Sequence, residues 1–163
     1  MFAVSVSAVY GSSALYHGTT GARRDFWQRT DHASIFLLIA GSVTSFVVAG
    51  HPSIGDWLLL ASVWFVALFG MTRQLVVPLD APAEVGIYLL IGWLGVTIAL
   101  KASLGVPAAA AGLLVGGAAF YTVGTCFYRA GGRLSHAHAL WHCFVMAGMA
   151  CHYLAVASLL QAS

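Results

Sequence analysis

The stretch LLLASVWFVALFG, residues 58–70, contains no charged side chain and a single hydroxyl group. Strands of a transmembrane β-barrel need segments of about ten residues in which polar and apolar side chains alternate, and this stretch shows no alternation. A β-barrel is therefore excluded. An uninterrupted run of apolar residues predicts a helix that is hydrophobic all round.

The whole chain has the composition of a membrane protein. Of its 163 residues 60% are hydrophobic and 7% are charged, whereas soluble domains carry about 25% charged residues. The charged residues leave six uncharged stretches, most of them near the 20 residues that span a bilayer. We therefore predict one all-α domain, residues 1–163, that is a polytopic transmembrane bundle. Its six predicted helices lie at about 1–17, 32–50, 56–73, 84–102, 107–128 and 135–160.

The predicted connections leave no room for a second folded unit. The longest run from about residue 18 to 30 and from about 74 to 83, which is too short to house a soluble domain. A nucleic-acid-binding module is therefore excluded, and the expected partner at this point is the membrane. The oligomeric state is left open.

Small residues on the later helices are expected to serve packing. Gly112 and Gly116 form a small-xxx-small pair that would let a neighbouring helix approach closely. The cysteines are odd in number and lack a disulfide spacing. We expect them to be small core residues: Cys126, Cys143 and Cys151.

The basic residues are distributed unevenly between the two sides of the predicted bundle. The even connections carry Lys101 alone. The odd connections carry six arginines: Arg23, Arg24, Arg29, Arg73, Arg129 and Arg133. By the positive-inside rule the arginine-bearing side is cytoplasmic, so both termini lie outside. We expect a multi-pass protein of the inner (plasma) membrane.

Several ionisable residues are predicted to meet near the cytoplasmic face. His17 ends the first predicted helix, Asp31 begins the second, and His138 and His142 open the sixth. Counting helices places all four at one level. Residues four apart share a helix face, so His138 and His142 can grip one metal ion, and Ser13 shares a face with His17.

Three imidazoles with one open position are the ligand set of a catalytic zinc site, whereas structural sites use four protein ligands. Zinc can lower the pKa of a bound water from about 15.7 to about 7. The residues between His138 and His142 include no glutamate. Asp31 is then the one nearby acid that can act as general base.

Simpler interpretations remain for each residue alone. An H-x-x-x-H pair by itself is a weak signal, and His17 could cap a helix end. Asp31 could be an N-cap that favours the helix dipole. Ser13 could bond back to its own backbone, as serines in membrane helices often do.

Two further histidines are expected to stay outside this site. His152 follows His142 by ten residues, about 15 Å along a helix, which is too far for a shared ion. It is predicted to be a buried hydrogen-bonding histidine, with a place in a substrate or proton path as the alternative. His32 is expected to point away from the neighbouring Asp31.

Three motifs carry a resemblance to a known family. They are S-x-x-x-H in SALYH (13–17), Asp31 in RTDHASIFLLIAGS (29–42), and H-x-x-x-H in HALWHCFVMAGMACHYLAV (138–156). The chain resembles the bacterial hemolysin III family, a branch of the progestin and adipoQ receptor family. That family is in turn similar to the alkaline ceramidases. The likeness covers the chain from the first helix to the sixth.

The resemblance implies a seven-helix bundle with Zn²⁺ near the cytoplasmic face. The implied ligands are His17, His138 and His142, with Asp31 contacting zinc through water and Ser13 alongside. The family's first helix has no counterpart here. We therefore expect either a sequence with a late start or a member that has lost a helix.

Four functions follow as hypotheses. The first is a zinc-dependent hydrolase that cleaves a lipid amide with zinc-activated water. The second is a non-enzymatic, lipid-sensing protein of the receptor type with structural zinc. The third is the cytolytic pore that the hemolysin name suggests. The fourth, haem held by paired histidines, is disfavoured because two ligands four residues apart would crowd one side of a porphyrin.

Overall fold

The computed structural model describes residues 1–76, 85–102, 107–130 and 134–162. Within these ranges the chain forms six helices and no strand, so the predicted all-α polytopic bundle is confirmed. The helices are α1 (Phe2–Gly18), α2 (Ala22–Ala49), α3 (Ile54–Val76), α4 (Val85–Ala102), α5 (Ala108–Arg129) and α6 (Ala137–Ala162).

Five helices, α2 to α6, are long and apolar enough to cross a bilayer. Helix α1 has 17 residues and is not among them. Most helix ends fall within about three residues of the predicted ones. The predicted start at Glu84, and Arg133 of the charge pattern, lie outside the described residues.

The predicted start of α2 at residue 32 is wrong, because the helix begins at Ala22. Gly21, the residue before the helix, adopts a φ of 73°, which glycine tolerates without strain. The first turns of α2 carry charged residues, are exposed, and extend the helix beyond its apolar part. The acidic Asp25 in the first turn interacts favourably with the positive end of the helix dipole. Charges mark where an apolar stretch ends, and they do not mark where a helix ends.

Helices α1 and α2 pack as an antiparallel hairpin. The backbone N–H of Phe2 donates to Ser45 Oγ at 3.2 Å, near the far end of α2. At the other end, Arg24 Nη2 donates to the Tyr16 hydroxyl at 3.1 Å. The end of α1, with His17, therefore lies beside the start of α2.

Helix α2 is the central element, since it packs against α1, α3, α4 and α6. Two of its phenylalanines are fully buried and belong to different core clusters. Phe36 packs with α3 and α4, and Phe46 packs with α4, α5 and α6. A Cβ atom on Gly70 of α3 would overlap the Phe36 ring, so the absence of a side chain there permits the close approach.

A close contact between α5 and α6 uses different glycines from the predicted pair. A Cβ atom on Gly117 would lie 2.9 Å from the Gly148 carbonyl oxygen, and one on Gly148 would lie 2.9 Å from the Gly117 carbonyl oxygen. Gly112 and Gly116 have no neighbouring atom within 4 Å of the equivalent position, so the prediction for them is wrong. Adjacent glycines lie about 100° apart on a helix, and the spacing of small residues does not say which face meets a neighbour.

The prediction that the cysteines are core residues is wrong, since Cys126 and Cys143 are exposed and Cys151 is half-buried. Large apolar side chains such as Phe65, 74% exposed, also face outward. Lipid tails are as apolar as a protein core, so burial inside the bundle offers a small apolar residue little advantage over facing lipid.

The two ends of the bundle differ in charge. Lys101 Nζ pairs with Asp56 Oδ1 at 3.1 Å at the end that holds the α2–α3 turn. The described arginines all lie at the other end: Arg23, Arg24, Arg29, Arg73 and Arg129. The ends of α1, α3 and α5 and the starts of α2, α4 and α6 meet there.

Replacing Gly117 by alanine is expected to destabilise the bundle, whereas replacing Gly116 is not. The added Cβ at position 117 meets the fixed backbone oxygen of Gly148, and overpacking of this kind costs about 1–3 kcal/mol. At position 116 it meets nothing within 4 Å. Thermal unfolding of both variants in one detergent measures the difference. Equal melting temperatures would contradict the assigned α5–α6 contact.

Candidate metal centre

Three histidines from the two ends of the chain meet at the arginine-bearing end of the bundle. His17 lies in the last turn of α1, and His138 and His142 lie in the first turns of α6. The Nε2 atoms of His138 and His142 are 3.0 Å apart, and those of His17 and His138 are 3.4 Å apart. One ligand atom from each of the three lies within 4.8 Å of the others.

These distances suit a common divalent ion. Zn–N bonds of about 2.0–2.1 Å in a tetrahedral arrangement place two ligand nitrogens about 3.3 Å apart. The His17 and His138 side chains are exposed, and His142 is half-buried. The cluster therefore lies at the rim of the bundle with one side open. A small molecule can reach it from that side.

Asp31 of α2 lines the same cavity as His17 and His142, and its side chain is buried, with 5% exposed. It is about two and a half turns inside the helix, so the N-cap interpretation of Asp31 is wrong. Its carboxylate is not part of the group of ligand atoms within 4.8 Å of one another. A carboxylate in this position can act on a molecule that the histidines hold, without itself filling a ligand position.

Ser13 of α1 lines the same cavity as Asp31, and its hydroxyl is near enough to the Asp31 carboxylate to interact with it. Several other serines bond back to carbonyl oxygens of their own helix, including Ser12 at 2.7 Å from Ala8 O. No such bond is found for Ser13 in the part of the chain that the structure describes. The structure thus brings Ser13, His17, Asp31 and His142 to one cavity, and His138 lies next to His17 and His142.

A cavity of about 430 Å³ extends from this cluster into the bundle. His17, Asp31 and His142 line it at one end, and His152 lines it deeper along α6. Most of the remaining walls are apolar side chains. The volume lies in the range of about 300–1,000 Å³ that is usual for ligand pockets.

The cavity wall also contains polar side chains that no sequence motif singled out. Gln74 Nε2 donates to the Tyr88 hydroxyl at 3.1 Å, and that hydroxyl donates to the His32 carbonyl oxygen at 3.2 Å. All three residues line the cavity. Both side chains lie at the arginine-bearing ends of their helices, so counting helices would have placed them at the level of the histidines.

Aromatic side chains complete the wall near the cluster. The Tyr128 and Trp141 ring centroids are 5.0 Å apart, and Trp141 lies 4.5 Å from the His142 ring. The His32 ring lies 6.3 Å from Tyr128. His32 was expected to point away from Asp31, yet both residues line the same cavity.

His152 is buried, as expected for a hydrogen-bonding histidine. Its side chain is 7% exposed, and its Nε2 lies 3.1 Å from the carbonyl oxygen of Leu114 on α5. It also lines the cavity, so a role toward a bound molecule stays open.

Comparison with known proteins adds an independent result. The family model "Haemolysin-III related" matches residues 1–153. The chain is 32% identical over 158 residues to the "Hemolysin-3 homolog" of Bacillus subtilis (strain 168), covering 96% of this chain and 74% of that protein. It is 30% identical over 159 residues to "Hemolysin-3" of Bacillus cereus, covering 96% and 72%. No solved structure gives a significant match.

The family match spans all five helices that could cross a membrane, from the start of α2 well into α6. It also includes each residue of the histidine cluster, Asp31 and Ser13. The chain belongs to the haemolysin-III related family of multi-pass membrane proteins.

Proposed function

We propose that this protein is a membrane-embedded, zinc-dependent hydrolase that cleaves an amide bond in a lipid. One observation carries the proposal. Three imidazole nitrogens converge beside a buried carboxylate, at the mouth of an apolar cavity. The histidine ligands, the acid and the space for a long chain therefore occur together.

The donor set fits zinc. Three neutral imidazoles with an open fourth position are found in catalytic zinc sites, and the exposed side of the cluster provides that position. His17, His138 and His142 would hold the ion. When bound, zinc would polarise a carbonyl group and make water available as a nucleophile near neutral pH.

The protein's own groups would move the proton. Asp31 would take a proton from the attacking water and pass it to the leaving nitrogen, which is the task of a general base that becomes a general acid. Ser13, which lines the cavity with Asp31, would hold the carboxylate in one orientation by a hydrogen bond. Low exposure of Asp31 keeps bulk water from competing for these bonds.

The shape of the cavity supports a long-chain substrate. A chain could lie along the apolar walls while its polar end reaches His17 and His142. The choice of an amide bond rests on the resemblance to the alkaline ceramidases. Whatever bond is cleaved, the outer faces of the helices would contact membrane lipid, because apolar side chains cover them.

We further propose that the cluster faces the cytoplasm across the inner (plasma) membrane. Five described arginines lie at the cluster's end of the bundle, and one lysine, Lys101, lies at the opposite end. Cytoplasmic segments of membrane proteins carry an excess of basic residues. The charge distribution therefore favours this orientation.

A second candidate function is lipid sensing with structural zinc. The histidines come from α1 and α6, and α1 packs mainly against α2. A metal ion held by His17, His138 and His142 would link the two terminal helices. In that case the metal would stabilise the bundle and the cavity would bind a lipid without cleaving it.

Metal analysis tests the site itself. The purified protein is expected to hold about one zinc per chain, and His138→Ala is expected to lose it. Loss of a direct ligand should weaken zinc binding by more than the roughly 10–100-fold lost when a group that only hydrogen-bonds a ligand is removed. His51→Ala, an exposed histidine after α2, is the matched control. Equal zinc contents in the two variants would contradict the assigned ligands.

Hydrolysis of a fluorescent long-chain amide tests the acid. Asp31→Asn is expected to lower turnover by about 10²–10⁴-fold, the usual contribution of a general acid–base group, while zinc stays bound. Asp25→Asn, on the exposed first turn of the same helix, should keep full activity. Full turnover in a zinc-loaded Asp31→Asn protein would refute the mechanism. A zinc-loaded wild type that binds the amide without turnover would favour the sensing function.

A further inference from the structure

The mouth of the cavity has a second polar wall, which the proposed reaction does not use. Gln74 lies in the last turn of α3, and Tyr88 lies in the first turn of α4. Both side chains line the cavity together with His17, Asp31 and His142. The end of α3 and the start of α4 belong to the arginine-bearing end of the bundle. The wall therefore lies at the same end of the cavity as the histidine cluster.

Helix α2 connects this wall to the metal-binding residues. The Tyr88 hydroxyl donates to the backbone carbonyl oxygen of His32 at 3.2 Å. The preceding residue, Asp31, is near enough to Ser13 of α1 to interact with its hydroxyl. Neighbouring residues of one helix turn thus contact α4 on one side and α1 on the other. The polar head of a lipid whose amide lies at the cluster can extend toward Gln74.

The hydrogen bonds of Tyr88 decide how the Gln74 amide is oriented. A carbonyl oxygen can only accept, so the single proton of the Tyr88 hydroxyl goes to His32. The Tyr88 oxygen can then only accept from Gln74, whose amide atom lies 3.1 Å away. The amide therefore presents its NH₂ group to Tyr88. Its Oε1 atom is turned away from that bond.

The Gln74 Oε1 atom is an acceptor without a hydrogen-bond partner in the part of the chain that the structure describes. The side chain is half-buried. The described unpaired polar atoms that are fully enclosed belong to other residues, namely Asp56, Tyr121 and His152. The Gln74 oxygen is therefore still accessible. In ligand pockets with mostly apolar walls, a few polar groups of this kind fix the orientation of the ligand.

We propose that Gln74, oriented by Tyr88, binds a hydrogen-bond donor on the head of the lipid amide, which is the part attached to the amide nitrogen. Because Oε1 can only accept, the head has to provide an O–H or N–H group. A hydroxyl group and an amino group share this chemistry. A purely apolar head would cover Oε1 without pairing it, which is unfavourable. The inference rests on the proposed function for the position of the amide, and it adds a specificity for the head.

Binding of non-hydrolysable probes tests this subsite independently of turnover. The probes are radiolabelled long-chain sulfonamides that differ only in the group on nitrogen, which is hydroxyethyl, aminoethyl or propyl. All three keep the same chain and the same sulfonamide group, so zinc and the apolar walls contribute equally to each. Equilibrium binding is measured on the full chain in nanodiscs and corrected with empty nanodiscs.

The wild type should bind at least one of the two donor-bearing probes about three- to tenfold more tightly than the propyl probe, as expected for a neutral hydrogen bond. The tighter of the two identifies the donor as a hydroxyl or an amino group. Gln74→Leu keeps a side chain of similar size without the acceptor and should reduce this preference to near unity. The matched control is Gln161→Leu, at an exposed position near the opposite end of α6, which should keep the preference.

The variant Tyr88→Phe tests the orientation of the amide. Without the hydroxyl, the Gln74 amide can rotate, so the preference for the donor-bearing probe should fall. The matched control is Tyr153→Phe, which removes the same group from a side chain that is 61% exposed and outside the cavity lining. An unchanged preference in Tyr88→Phe would contradict the assigned orientation.

Equal binding of all three probes by the wild type would overturn the subsite, as expected if water alone pairs with Gln74. A preference that survives in Gln74→Leu would overturn it as well. The wild-type comparison is decisive even if a variant fails to fold. Absence of amide turnover, with the preference intact, would refute the hydrolase and leave the subsite standing.

Discussion

The interior of a bilayer accepts a polar side chain only where another polar group or a cavity pairs with it. Most hydroxyl groups in this bundle meet that constraint within their own helix: Ser42 bonds to Leu38 O at 2.7 Å and Thr44 to Ala40 O at 2.7 Å. Trp64 of α3 donates to Thr44 at 3.0 Å. Several of the remaining polar groups line one cavity, namely Asp31, Gln74, Tyr88, Tyr121 and His152, whereas Asp56 pairs with Lys101 at the opposite end of the bundle.

Helix α2 connects the two ends of that cavity. Its first turns extend beyond the apolar part of the bundle, which places Asp31 at the level where α1 ends and α6 begins. Farther along, Phe46 packs in the core against α4, α5 and α6 and meets the His152 ring. A helix that contacts α1, α3, α4 and α6 thus holds the acid and the inner wall of the cavity in one rigid element.

The two polar ends of the cavity differ in their access to water, and this difference suits different tasks. His17 and His138 are exposed, so water and ions can reach the cluster. His152, 7% exposed, is surrounded by packed side chains of α2 and α5. A site that consumes water at the rim and recognises a chain in the dry interior would make use of both environments.

Sequence alone determined the number of helices and which of the ionisable residues lie at the same end of the bundle. Lengths of apolar stretches and the positions of charges report depth, and for this reason the meeting of His17, Asp31, His138 and His142 at one level could be predicted. Only the tertiary structure decided how each helix is rotated. It turned Gly117 rather than Gly116 toward α6, left Cys126 exposed, and brought Tyr121 beside His152. The physical reason is that lipid and protein core are equally apolar, so hydropathy carries little information about which face of a membrane helix meets its neighbours.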